Sequence, residues 1–308
     1  MLLHEHEDFI NFVRIVGADR GIREAIVEKD YWVTYVLHAL RASEFKDAFI
    51  FKGGTSLSKG WNLIDRFSED IDLLLVAGDL GSKAKKARMK KMQEFVGALP
   101  GINFDPGNED NRAGNESRTA CFRYVRRAEG ELGSLLPYIK LEMGYRGGIE
   151  PRELRRIQAL IGEELEKRGQ NAFAENIAGV EMPLLHPRRT LVEKLYAIYS
   201  AYEGNTIVGK TRHYYDVFRL LELAEVSAFL GTEEYKALKE SVADFSRENW
   251  PDAPLPNDDE LSRAEAFNPQ GDRRVSIERE YERSDIYYGR KPSFAAVIER
   301  ISNHMKKF

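Results

Sequence analysis

Apolar positions along this chain follow two periods, and the change from one to the other marks out its elements. Residues 22–40 carry Ile26, Tyr31, Val33, Tyr35 and Val36 toward a core at helical spacing, and residues 6–16, 56–63, 82–99 and 152–169 read as helices too. Shorter apolar or alternating runs at 45–51, 70–76, 119–125, 136–144 and 180–185 predict strands. Residues 106–117, rich in Asn, Gly and Asp, predict a polar loop. Beyond Pro187 only the helical period remains, at 191–202, 213–230, 233–247 and 294–307, and three prolines within 250–257 mark a loop. Thr190, just after Pro187, is the expected cap of the first of these helices. Strands alternating with helices and then helices alone predict an α/β (α+β) fold, with a sheet domain over residues 1–186 and a helical domain over 187–308. A length of 308 residues is enough for two such cores.

Composition narrows the class. A hydrophobic share of 43% beside a charged share of 31% suits an ordinary soluble globular protein. Neither an N-terminal apolar signal nor a run of eighteen apolar residues occurs, so cytoplasmic residence without a membrane is expected. The single cysteine, Cys121, rules out an internal disulfide and is expected to pack as a small apolar residue. A net charge of −4 does not advertise a polyanion partner. Basic residues nevertheless gather at Lys83, Lys85, Lys86, Arg88, Lys90 and Lys91, at Arg123, Arg126 and Arg127, and at Arg152, Arg155, Arg156, Arg188 and Arg189. A solvated helix face and contact with an RNA backbone both fit these clusters.

The chemistry concentrates in residues 51–75. Asp70 and Asp72 stand two apart at the head of a predicted strand, so they point to one face with Cα atoms ~6.6 Å apart. Like charges ~4 Å apart at an effective dielectric near 20 repel by ~4 kcal/mol, so the pair needs a cation, a shared proton or water. Mg²⁺ suits such a site, because it takes hard oxygen ligands from one or two carboxylates and from substrate phosphates. An isolated Asp-x-Asp also fits a solvated turn acid beside a strand-edge acid. Upstream, Gly53-Gly54-Thr55-Ser56 breaks a short apolar run with residues that permit positive φ. A helix capped there by Thr55 or Ser56 would aim N–H groups and hydroxyls at an anion. The spacing is neither GxxxxGK[ST] nor GxGxxG, and an ordinary strand-to-helix turn remains the alternative.

Three later residues extend the pattern. Lys140 and Glu142 share one face of an alternating strand and Ile139, Leu141 and Met143 the other, so Glu142 becomes a third metal-facing acid if this strand lies beside that of Asp72. Three carboxylates gathering two metals serve in-line phosphoryl or nucleotidyl transfer. Lys194 has the chemistry of a point charge for phosphates, and Arg212 and Asp216 stand four apart on another helix. Surface charge pairing is the alternative for both helices.

Gly53-Gly54-Thr55-Ser56 followed by Ser68-Glu69-Asp70-Ile71-Asp72 resembles the nucleotidyltransferase superfamily with the polymerase-β-like core, whose hallmark is hG[GS] and then [DE]h[DE]h. More narrowly, Glu28-Lys29-Asp30-Tyr31, Ile139-Lys140-Leu141-Glu142, Glu193-Lys194-Leu195 and Arg212-His213-Tyr214-Tyr215-Asp216 are similar to segments of the AbiEii/AbiGii-type nucleotidyltransferase toxins of toxin–antitoxin and phage-defence systems. The resemblance implies a mixed sheet flanked by helices and a Mg²⁺ site, possible also for Mn²⁺, at Asp70, Asp72 and Glu142. It implies nucleotide binding by Gly53, Gly54, Thr55, Ser56, Ser68 and Lys194, and catalysis by Asp70, Asp72, Lys194 and Asp216. An NTP would be the substrate, the tRNA 3′ end the acceptor, blocked translation the outcome and a cognate antitoxin the partner. The superfamily often has Asp as its third acid, and Glu142 departs from that. Modification of a protein or small molecule, and a non-catalytic nucleotide-binding module, are the other readings.

Overall fold

The computed structural model describes residues 1–68, 70–133, 135–170, 173–257 and 260–308. Glu69 of the acidic motif lies outside them. The chain divides into two compact units, one of Met1–Asn62 with Arg66–Leu184, the other of Leu63–Asp65 with Leu185–Phe308.

In order, the chain forms α1 (Phe9–Arg20), α2 (Glu24–Arg41), β1 (Phe49–Lys52), α3 (Gly53–Lys59), β2 (Asp70–Leu75), α4 (Ser82–Gly97), β3 (Ile102–Phe104), β4 (Arg112–Ala113), β5 (Ser117–Tyr124), β6 (Ile139–Gly144), β7 (Arg152–Ile157), α5 (Leu160–Lys167) and β8 (Val180–Leu185). One sheet takes the strands in the order β3-β5-β6-β2-β1-β8-β7, with β4 paired to β5. β2 runs antiparallel to β1 and parallel to β6, and β1 is parallel to β8, so the sheet is mixed. Ile71, Leu73, Ile139, Leu141 and Met143 are buried on one face of β2 and β6. α2 packs on these strands and α4 on β3 and β5, where Gln93 of α4 accepts a hydrogen bond from Arg118 at 2.7 Å.

α2 is buried nearly all round, which forces its charged residues to find partners. Glu28 accepts from the N–H groups of Arg127 and Ala128, both at 2.7 Å, and Lys29 donates to the Leu136 carbonyl at 2.6 Å. Asp30 pairs with Lys59 at the end of α3 and accepts from the Leu160 N–H at 2.8 Å, capping α5. The Tyr31 hydroxyl accepts from Asn176 at 2.7 Å. These four residues tie segments from across the first unit to one helix, and that accounts for their clustering in the sequence.

The expected helix over 152–169 is instead β7 followed by α5. Leu154, Ile157, Leu160 and Ile161 do stand at helical spacing, but β7 pairs with β8 as an edge strand and leaves Leu154 58% exposed. The expected strand over 45–51 starts only at Phe49, after a turn in which the Ala48 N–H bonds the Phe45 carbonyl. β4 forms inside the expected loop over 106–117.

The second unit consists of α6 (Pro187–Glu203), α7 (Arg212–Leu220), α8 (Ala224–Phe229), α9 (Glu233–Asn249), α10 (Gly271–Arg283) and α11 (Phe294–His304). α6 begins before Thr190, at Pro187, whose missing N–H costs nothing at a first helical position. His186 is its cap, and the Thr190 hydroxyl donates back to the His186 carbonyl at 3.3 Å. The expected helix over 213–230 is two, broken between α7 and α8. Within this unit α7 holds the 63–65 stretch. The Asp65 N–H donates to the Tyr215 hydroxyl at 3.0 Å, and Arg219 donates to the Leu63 carbonyl at 2.8 Å.

Candidate active site

The glycine turn and the acidic strand meet because β1 and β2 are antiparallel neighbours, with Lys52 opposite Asp72. α3 then starts directly at Gly53 with Lys52 in the cap position and no side-chain cap bond. Gly53 has φ +77°, and a Cβ on it would stand 1.9 Å from Asp72 Oδ2. A Cβ on Gly54 would stand 2.6 Å from Arg66 Nη2 and 2.7 Å from Ser68 Oγ. Gly53 therefore has both a left-handed backbone and no room for a side chain, while at Gly54 a side chain would have to push the Arg66 guanidinium and Ser68 aside.

Thr55 and Ser56 do not cap the helix as expected. They lie inside its first turn, fully buried, and their hydroxyls donate to the carbonyls of Asp70 at 2.5 Å and Gly53 at 2.9 Å. A hydroxyl has one proton to give, so what these two retain is acceptor capacity. Donors for an anion at this turn are main-chain N–H groups, four of which lack intrahelical partners at any helix start.

β6 lies beside β2 in parallel register, Asp70 against Lys140 and Asp72 against Glu142. Asp70, Asp72 and Glu142 consequently share one sheet face, with Thr119 of β5 across from Glu142. Burial, the like charges of Glu142 and Asp70, and a hydrogen bond to Glu142 push the Asp72 carboxyl up to about 7, against a smaller opposing effect of Lys52. Glu142 Oε1 lies 2.7 Å from the Lys140 ammonium. Burial disfavours that ammonium, but Glu142, Asp70 and Asp110 outweigh it and hold its pKa above the usual lysine value. Among the described residues no three His, Cys, Asp or Glu side chains form a ready metal-holding group. The donor set nonetheless fits a hard divalent cation. Its oxygens are all carboxylate, and the β2–β6 register brings them to one sheet face.

In the second unit Lys194 of α6 meets Asp216 of α7 at 2.6 Å, with side-chain exposures of 10% and 0%. His213 Nδ1 lies 3.4 Å from the same ammonium. Asp216 thus fixes the Lys194 ammonium in an interior ion pair, where surface charge pairing was the alternative. His213 stood in the sequence only within the 212–216 segment of the family resemblance, with no role assigned to it. Lys52 could have been found from its position at the end of the Phe49-Ile50-Phe51 run. Arg66, 2% exposed against Gly54, sits in an irregular segment with no period to expose it.

The basic residues of residues 83–91 are carried by α4, which buries Met89, Met92 and Val96. Lys85 pairs with Glu116 at 2.9 Å and Arg88 donates to the Val76 carbonyl at 2.8 Å, while Lys83, Lys86, Lys90 and Lys91 are exposed. Arg123 is bound to Asp105 at 2.9 Å.

A mixed sheet that sets paired acids over a glycine turn is the arrangement expected of a nucleotidyltransferase. The model of one such family, the nucleotidyl transferase AbiEii toxin of type IV toxin–antitoxin systems, matches residues 35–300, and the chain belongs to that family. No curated protein matches the chain significantly. The matched span includes every candidate site residue from Gly53 to Asp216, and begins after residues 28–31. Membership implies an antitoxin partner. Among the described residues no helix is long and apolar enough to cross a membrane.

Gly53→Ala is expected to reduce transfer at least ~100-fold, since displacing Asp72 by about an ångström misplaces the reacting groups. Its stability should fall by at least ~1–2 kcal/mol, the cost of a left-handed non-glycine residue, with the displacement of Asp72 adding to it. Transfer rates and urea midpoints measured together check both.

Proposed function

We propose that the protein is a Mg²⁺-dependent nucleotidyltransferase that moves NMP from an NTP onto the 3′ end of tRNA in the cytoplasm, blocking translation and growth. The observation that carries this reading is the register of Asp72 with Glu142, which joins a third carboxylate to the Asp70 and Asp72 pair beside the glycine turn. Asp70, Asp72 and Glu142 would hold Mg²⁺ or Mn²⁺. Such ions, when bound, stabilise charge on the attacking and leaving oxygens of an in-line displacement. Gly53 and Gly54 offer main-chain N–H groups to phosphate, with Thr55 and Ser56 fixing the turn through their backbone bonds and Ser68 lying against Gly54. By the family resemblance, Lys194, held by Asp216 within the second unit, is the lysine that would supply positive charge to the triphosphate. In the balanced step the acceptor oxygen bonds to the α-phosphorus, the bond from that phosphorus to its bridging oxygen breaks, and pyrophosphate leaves. The hydroxyl proton passes to a carboxylate or to water.

Incubation of the protein with Mg²⁺, total RNA and each of the four α-labelled NTPs in turn tests the acceptor. Label in the tRNA band, from one NTP above the others and abolished by chelator, is expected. Label in a protein or metabolite band of a whole lysate, with none in RNA, would replace tRNA with that acceptor. NTP binding without pyrophosphate release would leave a non-catalytic module.

A further inference from the structure

The carboxylate face of the sheet carries a cation of its own. β6 sets Lys140 opposite Asp70 and, two residues on, Glu142 opposite Asp72, so one strand brings a base and an acid to the same face. The Lys140 ammonium lies 2.7 Å from Glu142 Oε1. Behind it Asp110 accepts a hydrogen bond from Tyr138 at 2.5 Å and adds negative charge on the lysine side. Lys140 is 22% exposed and Glu142 40%, so neither is locked in the interior and the pair can part without opening a core.

A Mg²⁺ ion demands oxygen ligands at ~2.0–2.1 Å. A lysine bonded to Glu142 therefore competes with a divalent ion for that carboxylate, and its charge opposes a second cation anywhere on this face. Nucleotide phosphates, arriving with their own negative charge, offset that opposition. We propose that Lys140 is the built-in counter-ion of this site, a positioning residue that holds Glu142 in the metal-free chain and surrenders it to a divalent ion, so that metal binds tightly only together with a nucleotide. The inference rests on the reading of Asp70, Asp72 and Glu142 as metal ligands. It adds an order of loading that the three acids alone do not contain.

The test is calorimetric titration of Mn²⁺ into metal-stripped, full-length protein without nucleotide. Removing one positive charge a few ångströms from a divalent ion should tighten binding about tenfold or more even at high effective dielectric. Lys140→Met is expected to show that gain, Lys140→Arg to bind as the parent does, and Glu142→Gln to cancel most of the gain when combined with Lys140→Met. Lys140→Gln gives the same reading should the methionine variant fail to fold. Equal Mn²⁺ affinity in the parent and in the neutral variants would overturn the proposal, as would weaker binding in them. Absence of Mn²⁺ binding to the parent and all variants, both without nucleotide and with a non-hydrolysable NTP added, would overturn the metal assignment itself, an outcome distinct from the parent binding Mn²⁺ with Lys140 indifferent.

Discussion

Asp72→Ala is expected to lower the rate of nucleotidyl transfer by ~10³-fold or more, because metal-borne stabilisation of the transition state amounts to several kcal/mol and each ~1.4 kcal/mol is tenfold. The fold should survive. Asp72 carries a carboxyl whose pKa the native state raises from 3.8 to about 7, so the native state binds a proton that the unfolded chain has already lost between those values. Its contribution to stability is therefore full below about pH 4 and is lost as pH rises through about 7, in the chain without metal. The alanine variant should lack this loss and be at least as stable as the parent at pH 8. Urea midpoints from pH 4 to 8 with and without Asp72, beside the transfer assay, check both halves. A variant that transfers at the parental rate would remove Asp72 from the site.

The second large effect is on stability. Asp216→Ala takes from the Lys194 ammonium, whose side chain is 10% exposed, the carboxylate 2.6 Å away. Removing one partner of a buried ion pair typically costs ~3–5 kcal/mol. Replacing both charges, as in Lys194→Met with Asp216→Leu, should return most of that stability without returning activity, since apolar residues of similar volume often substitute for a buried pair. Denaturation midpoints of the single and double variants measure this directly. A loss below ~1 kcal/mol in Asp216→Ala would mean that Lys194 reaches water or another partner.

The sequence showed β2, β6 and their facing residues because strand periodicity is local, and it put Lys140 and Glu142 on one face for the same reason. It did not show that β6 lies against β2, since that pairing joins residues some seventy apart and is decided by the whole sheet. The glycine turn was visible as a turn, yet its cause was not. Gly53 and Gly54 are required by Asp72, Arg66 and Ser68, all distant by one intervening segment. β7 was misread because its charges and Leu154 fit a helix, and an edge strand buries too little to impose its own period. α10 raised no expectation, its buried residues being only Ile277 and Tyr281 among a charged majority. In the AbiEii resemblance, the 28–31 segment proved to be a set of buried braces, and the 193–195 and 212–216 segments to be two halves of one ion pair.

The central claim is that the three carboxylates serve transfer of a nucleotidyl group, with pyrophosphate as the leaving group. Parallel reactions with α-labelled and γ-labelled NTP, Mg²⁺ and tRNA test it most directly. The account predicts α-label on the tRNA 3′ end, γ-label only in free pyrophosphate, and neither transfer with Asp72→Ala. Label from the γ-phosphate on RNA would contradict it, because the chain would then transfer a phosphoryl group.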